Sequence, residues 1–429
     1  MTAGEGRFLD VSRRLLDLLG PDGIGSEYEQ QDFAVAGREP QWVLLPSSIE
    51  ECAAALRVCS ESALAVVPAG FGRRLQQGNP PERLDAVLSL SRMNRIVDHA
   101  AADMTLVVEA GASLDVVNEA LAAAGQWLPF DPPFPKETSI GGLVAAHVSG
   151  PGRQSFGTVR ESLIGIRAVL ADGTVVKSGG RVVKNVAGYD LQKLLVGSFG
   201  TLGVIVEAAF KCRPRPETRG VEVFAGKLRT LLDLAGRIAG SNVAPLFLEA
   251  FFGGRGPARL AVGLCGAGEE VEWARRRALE IAAELPGVES GVTELRVHDE
   301  IESIADPGAD APAIVVRAGL PPRALANWID VAIDRCVRGG AILRGHAHAG
   351  IGVVRLRLDV GGEAAPELIR DLRVPAERLS GYLVLEAAPR EWGLDVWGTP
   401  APGFSLMKGV KGAFDPARAL SPGRFVGGI

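Results

Sequence analysis

The sequence has few cysteines, no long apolar run and a small net charge. Its five cysteines are widely spaced, and no Cys-x-x-Cys pair occurs in the 429 residues. This spacing argues against a disulfide framework, a zinc ribbon and an iron–sulfur cluster, and we expect no metal site. No stretch approaches 18 uninterrupted apolar residues, so no membrane-spanning helix is expected. A net charge of −5 offers no general attraction to nucleic acid or anionic lipid. The start lacks a signal peptide's basic and apolar pattern, so the chain is expected to be cytoplasmic.

Glycine, by contrast, is abundant. The chain has 54 glycines, where average usage would give about 30. They follow no every-third-residue rule, which excludes collagen. The remaining composition is that of a globular protein, with 47% apolar and 23% charged residues. The length suggests two or three domains.

A change of pattern near residue 215 suggests a domain boundary. Residues 1–215 combine short apolar strands with helices, and the proline-spaced segment 211–216 follows them. Beyond it, one β-α-β unit is predicted at 246–297 and another at 313–346, with a further strand at 352–358. The predicted elements of the first unit are a strand at 246–252, a helix at 269–285 and a strand at 291–297. Two such units suggest an antiparallel sheet with helices on one face, as in ferredoxin-like folds.

The first glycine-rich loop runs from Pro68 to Gly78, after a predicted buried strand. Gly70 and Gly72 allow backbone N–H groups to surround an anion. No Gly-Lys-Ser/Thr follows, so the loop is not a Walker A motif, and it lacks the third glycine of the dinucleotide fingerprint. Taken alone, the loop is equally well explained as a plain tight turn.

Two further loops follow in the same half of the chain. Residues 138–142 combine Thr and Ser hydroxyls with a glycine pair, and Ser149 comes soon after. Hydroxyls beside glycines provide donors where the backbone approaches a ligand, although a loop that merely needs positive φ is the alternative. Residues 197–205 place glycines and a threonine before a predicted buried strand. The main chain of that strand can hydrogen-bond a flat heterocycle.

The order and spacing of these loops resemble the FAD-binding domain of the vanillyl-alcohol oxidase (VAO) and p-cresol methylhydroxylase (PCMH) family. Within that family, segments 184–190, 197–203 and 406–425 are similar to the glycolate oxidase and D-lactate dehydrogenase branch. The resemblance implies an α+β fold with a PCMH/VAO-type FAD-binding domain at 1–215. It further implies a ferredoxin-like α/β cap domain at 216–400 and a C-terminal tail at 401–429 that returns to the FAD domain.

The resemblance also implies which residues hold FAD. The first loop would cradle the pyrophosphate, the second would line the pyrophosphate, ribityl chain and flavin, and the strand entry would contact a ring through its main chain. Some relatives attach flavin through a His or Cys of the first loop; neither occurs between Pro68 and Gly78, so the FAD is expected to be non-covalent. The cofactor-binding residues expected on this basis are Pro68, Ala69, Gly70, Phe71, Gly72, Arg73, Thr138, Ser139, Ile140, Gly141, Gly142, Ser149, Gly203, Val204 and Ile205.

Two departures from the branch concern catalysis. Phe199 stands where catalytic members carry Glu, and segment 345–352 lacks the Asp and Asn of their histidine motif. His346 and His348 alternate on a predicted strand and so face one side, but two ligands make an incomplete metal site. The catalytic residues are therefore unknown, with His346, His348, Arg153 and Lys184 as weak candidates.

These departures favour the FAD-binding subunit of a glycolate oxidase type of complex. The resemblance implies a catalytic flavin subunit and an iron–sulfur subunit as partners, with membrane contact only through them. The expected activity is oxidation of glycolate to glyoxylate by hydride transfer to flavin, with electrons passed to other redox centres. A stand-alone FAD-dependent 2-hydroxy-acid dehydrogenase and a non-catalytic scaffold subunit are the alternatives. The substrate and electron acceptor stay open.

Overall fold

A computed structural model describes residues 3–181, 189–254, 256–291, 295–308 and 313–429. The chain divides into two compact units. The first unit contains residues 1–148, 158–214 and 399–429, and the second contains 149–157 and 215–398. Residues 149–157, which the sequence pattern places in the first domain, thus group with the second unit.

Both units contain α-helices and β-strands. The α-helices of the described residues are α1 (Ala3–Leu19), α2 (Glu27–Asp32), α3 (Ile49–Glu61), α4 (Leu114–Ala122), α5 (Ile140–Ala146), α6 (Arg153–Phe156), α7 (Val159–Ser162), α8 (Gln192–Leu195), α9 (Leu228–Ala239), α10 (Gly268–Ala283), α11 (Val297–Ala305), α12 (Leu325–Arg338), α13 (Ala365–Arg378) and α14 (Phe404–Phe414). The strands are β1 (Trp42–Leu44), β2 (Val66–Ala69), β3 (Ala86–Ser89), β4 (Ile96–Ala100), β5 (Thr105–Glu109), β6 (Gln126–Trp127), β7 (Leu163–Val169), β8 (Val175–Gly179), β9 (Val204–Lys211), β10 (Arg213–Pro214), β11 (Thr218–Gly226), β12 (Phe247–Gly253), β13 (Ala258–Gly266), β14 (Glu289–Ser290), β15 (Ala313–Gly319), β16 (Ile342–His348), β17 (Val353–Asp359) and β18 (Tyr382–Ala387).

The first unit contains a parallel sheet and an antiparallel sheet. The parallel sheet has the order β1-β3-β2, and the antiparallel sheet has the order β4-β5-β9-β7-β8. A short ladder joins β6 and β10. One apolar core includes residues from both larger sheets and from α1, α3, α4 and α5. The short strands and the loops that follow them therefore rest on a common core.

Local sequence explains where the helices of this unit begin. The Ser113 hydroxyl accepts a hydrogen bond from the Val116 N–H and caps α4, whose Leu114, Val117 and Leu121 are buried. Ser139 caps α5 in the same way by accepting from the Gly142 N–H. A side-chain acceptor at this position satisfies one of the otherwise unpaired N–H groups of the first turn.

The second unit contains one eight-stranded sheet of order β14-β11-β13-β12-β16-β17-β15-β18. Two successive β-α-β-β-α-β motifs build it, the first from β11 to β14 and the second from β15 to β18. Each shows the strand order 4-1-3-2 of a ferredoxin-like fold, and the two motifs join through β12 and β16. The α9, α10, α12 and α13 helices pack on one apolar layer of the sheet. The predicted antiparallel sheet with ferredoxin-like motifs is confirmed.

The strand expected at 291–297 is wrong at its described ends, and residues 292–294 lie outside the described residues. The strand β14 ends at Ser290, and Val297 begins α11. Val297, Ile301 and Ile304 are buried on one side of this helix, at spacings of four and three residues. That spacing is helical, so the apolar residues near 297 belong to an amphipathic helix.

Candidate functional site

The three glycine-rich loops of the first unit line one pocket. Its volume is about 780 Å³, including the part open to solvent, which lies within the range of small-molecule sites. Twelve of the residues expected from sequence line it: Pro68, Ala69, Gly70, Phe71, Gly72, Arg73, Ser139, Gly141, Gly142, Gly203, Val204 and Ile205. Thr138 and Ile140 are fully buried next to the lining residues. Ser149 belongs to the second unit.

The first loop leaves the end of strand β2. The Ser89 hydroxyl donates to the Gly70 carbonyl at 2.9 Å, and the Leu90 N–H donates to the Ala69 carbonyl. Among the described residues, no hydrogen bond uses the backbone N–H groups of Gly70, Phe71, Gly72 or Arg73. Four consecutive unpaired N–H groups at the edge of a pocket form a binding site for an anion.

Close packing explains the glycines of the first two loops. A Cβ at Gly70 would lie 2.0 Å from the Ser139 Oγ, and a Cβ at Gly141 would lie 3.0 Å from the Ala110 Cβ. The Gly141 N–H donates to the Ala110 carbonyl at 2.7 Å. Arg74 joins the loops, since its guanidinium donates to the Thr138 Oγ1 at 3.2 Å. The loops therefore hold each other in place before any ligand binds.

The third loop lies next to the start of the first loop. Phe199 has a φ of 57° and its N–H donates to the Ala145 carbonyl at 2.9 Å. A Cβ at Gly200, whose φ is 71°, would lie 3.3 Å from the Pro68 ring. Val204 and Ile205 then begin strand β9, in register with Val169 and Ala168 of β7. The sheet thus fixes the backbone that faces the pocket.

Further lining residues were not expected from the sequence. Phe199, Gly200 and Arg424 lie within motifs that were noted, but their place in the pocket was missed. Leu90 and Ala110 follow separate strands, so no local pattern connects them with the loops. The complete set of additional lining residues is Arg74, Leu75, Leu90, Ala110, Glu137, Ala145, Ala146, Phe199, Gly200 and Arg424.

The charges and apolar surfaces of the pocket suit FAD. Three arginines and a single carboxylate, that of Glu137, are among its lining residues. The Arg73 Nε lies 3.4 Å from the Glu137 carboxylate, and its guanidinium lies 3.7 Å from the centre of the Phe134 ring. The excess of positive charge suits a diphosphate, and the apolar lining suits a flat ring. On these observations the residues present fit the cofactor.

A buried polar cluster lies on the sheet of the second unit. The Glu249 carboxylate accepts hydrogen bonds from the Nδ1 atoms of His346 and His348, at 3.2 Å for His346. Because an ionised carboxylate can only accept, the His346 proton lies on Nδ1, and its Nε2 accepts from the Arg355 guanidinium at 3.2 Å. Sequence reasoning expected the two histidines to share a side but missed Glu249, which is adjacent only across the β12–β16 pairing.

The environment of this cluster shifts its proton equilibria. Burial lowers the pKa of His346 to about 4, against the opposing effect of Glu249. Burial alone would raise the pKa of Glu249, but His348 and His346 outweigh it and hold that pKa at about 2. Glu249 is therefore ionised and His346 neutral near neutral pH. The three side chains have the composition of a metal-ligand set, of which the sequence pattern reveals only the two histidines.

A row of charges continues the cluster across neighbouring strands. Arg355 pairs with Glu386 at 2.5 Å, and Arg317 pairs with the same carboxylate at 2.9 Å. Burial would raise the pKa of Glu386, but Arg355 and Arg317 hold it at about 2. Since Glu249 is hydrogen-bonded to Nδ1 and Arg355 to Nε2, both ring nitrogens of His346 are engaged.

The structure places the other two catalytic candidates elsewhere. Arg153 begins α6 in the second unit, and Lys184 lies outside the described residues.

Residues 40–179 match a family model described as an FAD binding domain. The chain is 34% identical to glycolate oxidase subunit GlcD of Bacillus subtilis over 49% of its own length and 46% of that protein. It is 35% identical to D-2-hydroxyglutarate dehydrogenase of Xanthomonas citri pv. viticola over 49% of its length and 44% of that protein. It is also 35% identical to D-lactate dehydrogenase [cytochrome] 1 of Saccharomyces cerevisiae, over 50% and 36% of the respective chains. The matches thus span less than half of these relatives.

Solved structures extend the likeness to nearly the whole chain. A 4-ethylphenol oxidase from Gulosibacter chungangensis superimposes with a TM-score of 0.77 at 15% identity, covering 98% of this chain and 97% of that one. A p-cresol methylhydroxylase with bound substrate gives 0.75 at 14% identity, covering 98% and 96%. None of the helices in the described residues has the length and apolarity needed to cross a membrane. The chain therefore has the α+β fold of the PCMH/VAO type, and its residues 40–179 are similar to an FAD binding domain.

Proposed function

We propose that the chain is an FAD-dependent oxidoreductase that acts on the CH–OH group of a 2-hydroxy acid. The observation that carries this proposal is the pocket formed by three ordered glycine loops, with four unpaired N–H groups at one edge. The names of the matched relatives supply the substrate class, since they act on glycolate, D-2-hydroxyglutarate and D-lactate. When bound, the flavin supplies an acceptor for the hydride released from the carbon that bears the hydroxyl.

The chain's own residues would bind and orient the cofactor. The N–H groups of Gly70 to Arg73 would hold the diphosphate, with Arg73 and Arg74 adding positive charge. The main chain of Val204 and Ile205 would hydrogen-bond a ring, and Ser149 stays a cofactor contact expected from the sequence. The first loop has neither Cys nor His, so the FAD would be held without a covalent bond.

We further propose that the chain works as a subunit of a glycolate oxidase complex. Phe199 occupies the position of a glutamate in catalytic members of the branch, and it lines the pocket. His346, the nearest counterpart of their motif histidines, has both ring nitrogens in hydrogen bonds. A neutral, fully engaged imidazole is a poor acceptor for a substrate proton. This supports a separate catalytic flavin subunit as the site at which the 2-hydroxy acid is oxidised, with an iron–sulfur subunit receiving the electrons.

Purification of the chain alone, and again with candidate partner subunits, tests both levels of the proposal. We expect the isolated chain to retain FAD that is released by heat denaturation, which identifies non-covalent binding. We expect little dye reduction by glycolate from the isolated chain and strong reduction from the complex. Parallel assays with D-lactate and D-2-hydroxyglutarate define the substrate.

Three results would change the proposal. Dye reduction by the isolated chain at the rate of the complex would establish a stand-alone dehydrogenase. A complex whose turnover survives loss of FAD from this chain alone would establish a scaffold role. A chain that stays colourless after incubation with FAD would refute the assignment of the pocket.

A further inference from the structure

A buried lysine lies below the third loop of the pocket. Lys411, on α14, is 4% exposed and its ion-pair partner Asp415 is fully buried. The Lys411 ammonium group donates to the Asp415 carboxylate at 2.6 Å and to the carbonyls of Thr201 and Leu420 at 2.8 Å each. A lysine ammonium has three N–H donors, so these acceptors use all of them.

The two carbonyls belong to segments far apart in the chain. Thr201 lies in the third loop, between the pocket-lining residues Gly200 and Gly203. Leu420 lies in the tail, where the backbone of 419–421 pairs with Val66 of strand β2. Since β2 leads directly into the first loop, the Lys411 side chain connects the strand that presents the first loop with the entry to the third.

Both segments contain strained backbone next to the carbonyls that Lys411 holds. Phe199, two residues before Thr201, has a φ of 57°, and Ser421, directly after Leu420, has a φ of 45°. Residues other than glycine adopt a positive φ only where the surrounding structure holds the backbone in place. The hydrogen bonds from Lys411 hold the backbone next to both of these residues.

The rest of the tail makes contacts with the same loops. The Arg424 guanidinium donates to the Leu75 carbonyl at 2.7 Å and to the Gln77 carbonyl. Phe425 stacks on Phe199 with ring centres 5.9 Å apart. Arg424 and Phe199 both line the pocket, so a shift of the tail relative to the third loop would change the pocket's shape.

We propose that Lys411 is a positioning residue for the cofactor. It sets the distance between the third loop and the tail, and through them the place of Phe199, Arg424 and the main chain of 203–205 in the pocket. The inference rests on the proposed flavin site. It goes beyond that site because Lys411 does not line the pocket and would act through the residues that do.

Two variants and a matched control test the inference in the full-length chain. Lys411→Met removes the ammonium group, and Lys411→Met/Asp415→Asn also removes the carboxylate charge that would otherwise be buried alone. Lys408→Met is the control, because Lys408 is an exposed lysine on the same helix, with its ammonium 4.9 Å from the Phe404 ring centre. Each protein is stripped of FAD, checked for folding by thermal denaturation, and titrated with FAD.

We expect both Lys411 variants to bind FAD about tenfold to hundredfold more weakly, because ordering the third loop and the tail would then use part of the binding free energy. At saturating FAD, we expect the visible circular dichroism of their bound flavin to differ from wild type. Lys408→Met should match wild type in both measurements. The double variant decides the question if the single variant does not fold.

Two outcomes would overturn the inference. One is a folded double variant with wild-type FAD affinity and flavin spectrum. The other is a lower melting temperature of the cofactor-free protein with affinity and spectrum unchanged, which would show a purely structural role. Failure of wild type itself to bind FAD would instead refute the flavin site.

Discussion

Gly70 and Gly142 both line the pocket, but the physical reason for a glycine differs between the two positions. Gly70 was expected to leave space for a ligand, yet a Cβ there would meet Ser139 of the second loop. Gly142 fits that reason better, because it lines the pocket and a Cβ there would meet only the Ser139 hydroxyl, at 3.0 Å. A sequence indicates that a glycine is needed. Which atoms a side chain at that position would meet depends on the partner loop, which the sequence does not place.

A valine at Gly142 should therefore block cofactor binding without unfolding the chain. Its methyl groups would enter the pocket, so we expect Gly142→Val to weaken FAD binding by at least about tenfold. Fluorescence titration of the cofactor-free protein measures the affinity. Gly409→Val is the matched control, since Gly409 is also helical and a Cβ there would meet no atom within 4 Å. Equal affinity in the two variants would contradict the placement of Gly142.

The buried histidine predicts how stability depends on pH. The pKa of His346 is about 4 in the fold, below its ordinary value of 6.5, so the unfolded chain binds the proton first. Stability is then lost as pH falls from about 6.5 to about 4, by up to about 1.4 kcal/mol per pH unit. Below that, Glu249 acts in the same direction, because its pKa of about 2 lies below the ordinary 4.5.

Replacement of His346 isolates its contribution. His346→Gln keeps a side chain that can donate to Glu249 and accept from Arg355 but removes the titrating ring. We expect the free energy of unfolding in urea to change less between about pH 7 and about pH 5 in this variant than in wild type. His298→Gln, at an exposed position of α11, should keep the wild-type dependence. An unchanged slope in His346→Gln would show that the fold does not lower the pKa of His346.

At the scale of elements, the sequence predicted those helices and strands whose own residues show a clear periodic pattern. Four of the six elements of the second motif were predicted, because β15, α12, β16 and β17 follow in order with short connections, whereas α13 and β18 were missed. In the first motif, β11, α9 and β13 were missed. Strand β13 carries glycines within Ala258–Gly266, which obscures an alternating pattern although the strand pairs with β11 and β12 along its length. Pairing with β11 and β12, rather than the local preference of its residues, therefore makes this segment a strand.

We expect the charges of Arg73 and Glu137 to affect how tightly the first loop binds the cofactor's diphosphate. Arg73 would attract the cofactor's diphosphate, while the carboxylate of Glu137 lies 3.4 Å from Arg73 and opposes it. We expect Arg73→Met to weaken FAD binding by about threefold to tenfold and Glu137→Gln to strengthen it by about twofold, with both effects smaller at high salt. FAD titrations at low and high ionic strength measure this. Arg13→Met, on the exposed face of α1, controls for net charge. Weaker binding in both pocket variants would refute an electrostatic role for the pair.

At the scale of the whole molecule, the order of the loops was predictable and the completion of the pocket was not. Loops at 68–72, 138–142 and 197–205 follow one another within the first half of the chain, so their order could be compared with a known pattern. The tail was expected to return to this domain, but the contacts that place Arg424 beside Leu75 join residues 349 positions apart. A contact between residues so far apart in sequence cannot be predicted from periodicity or local spacing. It forms because α14 and the tail pack onto the core of the first unit.

If the tail completes the pocket, cofactor binding should protect four separate chain segments at once. We expect FAD at about 100 times its Kd to slow amide hydrogen exchange in 68–75, 139–146, 199–205 and 419–425, by up to about a hundredfold where local opening releases the cofactor. The unpaired N–H groups of Gly70 to Arg73 should change most, because binding would give them acceptors. Helix α2 has no buried residue, so it should exchange by local fraying at an unchanged rate. Protection of the three loops without the tail would show that the glycine-rich loops alone hold the cofactor, and that the contacts of Arg424 and Phe425 only stabilise the fold.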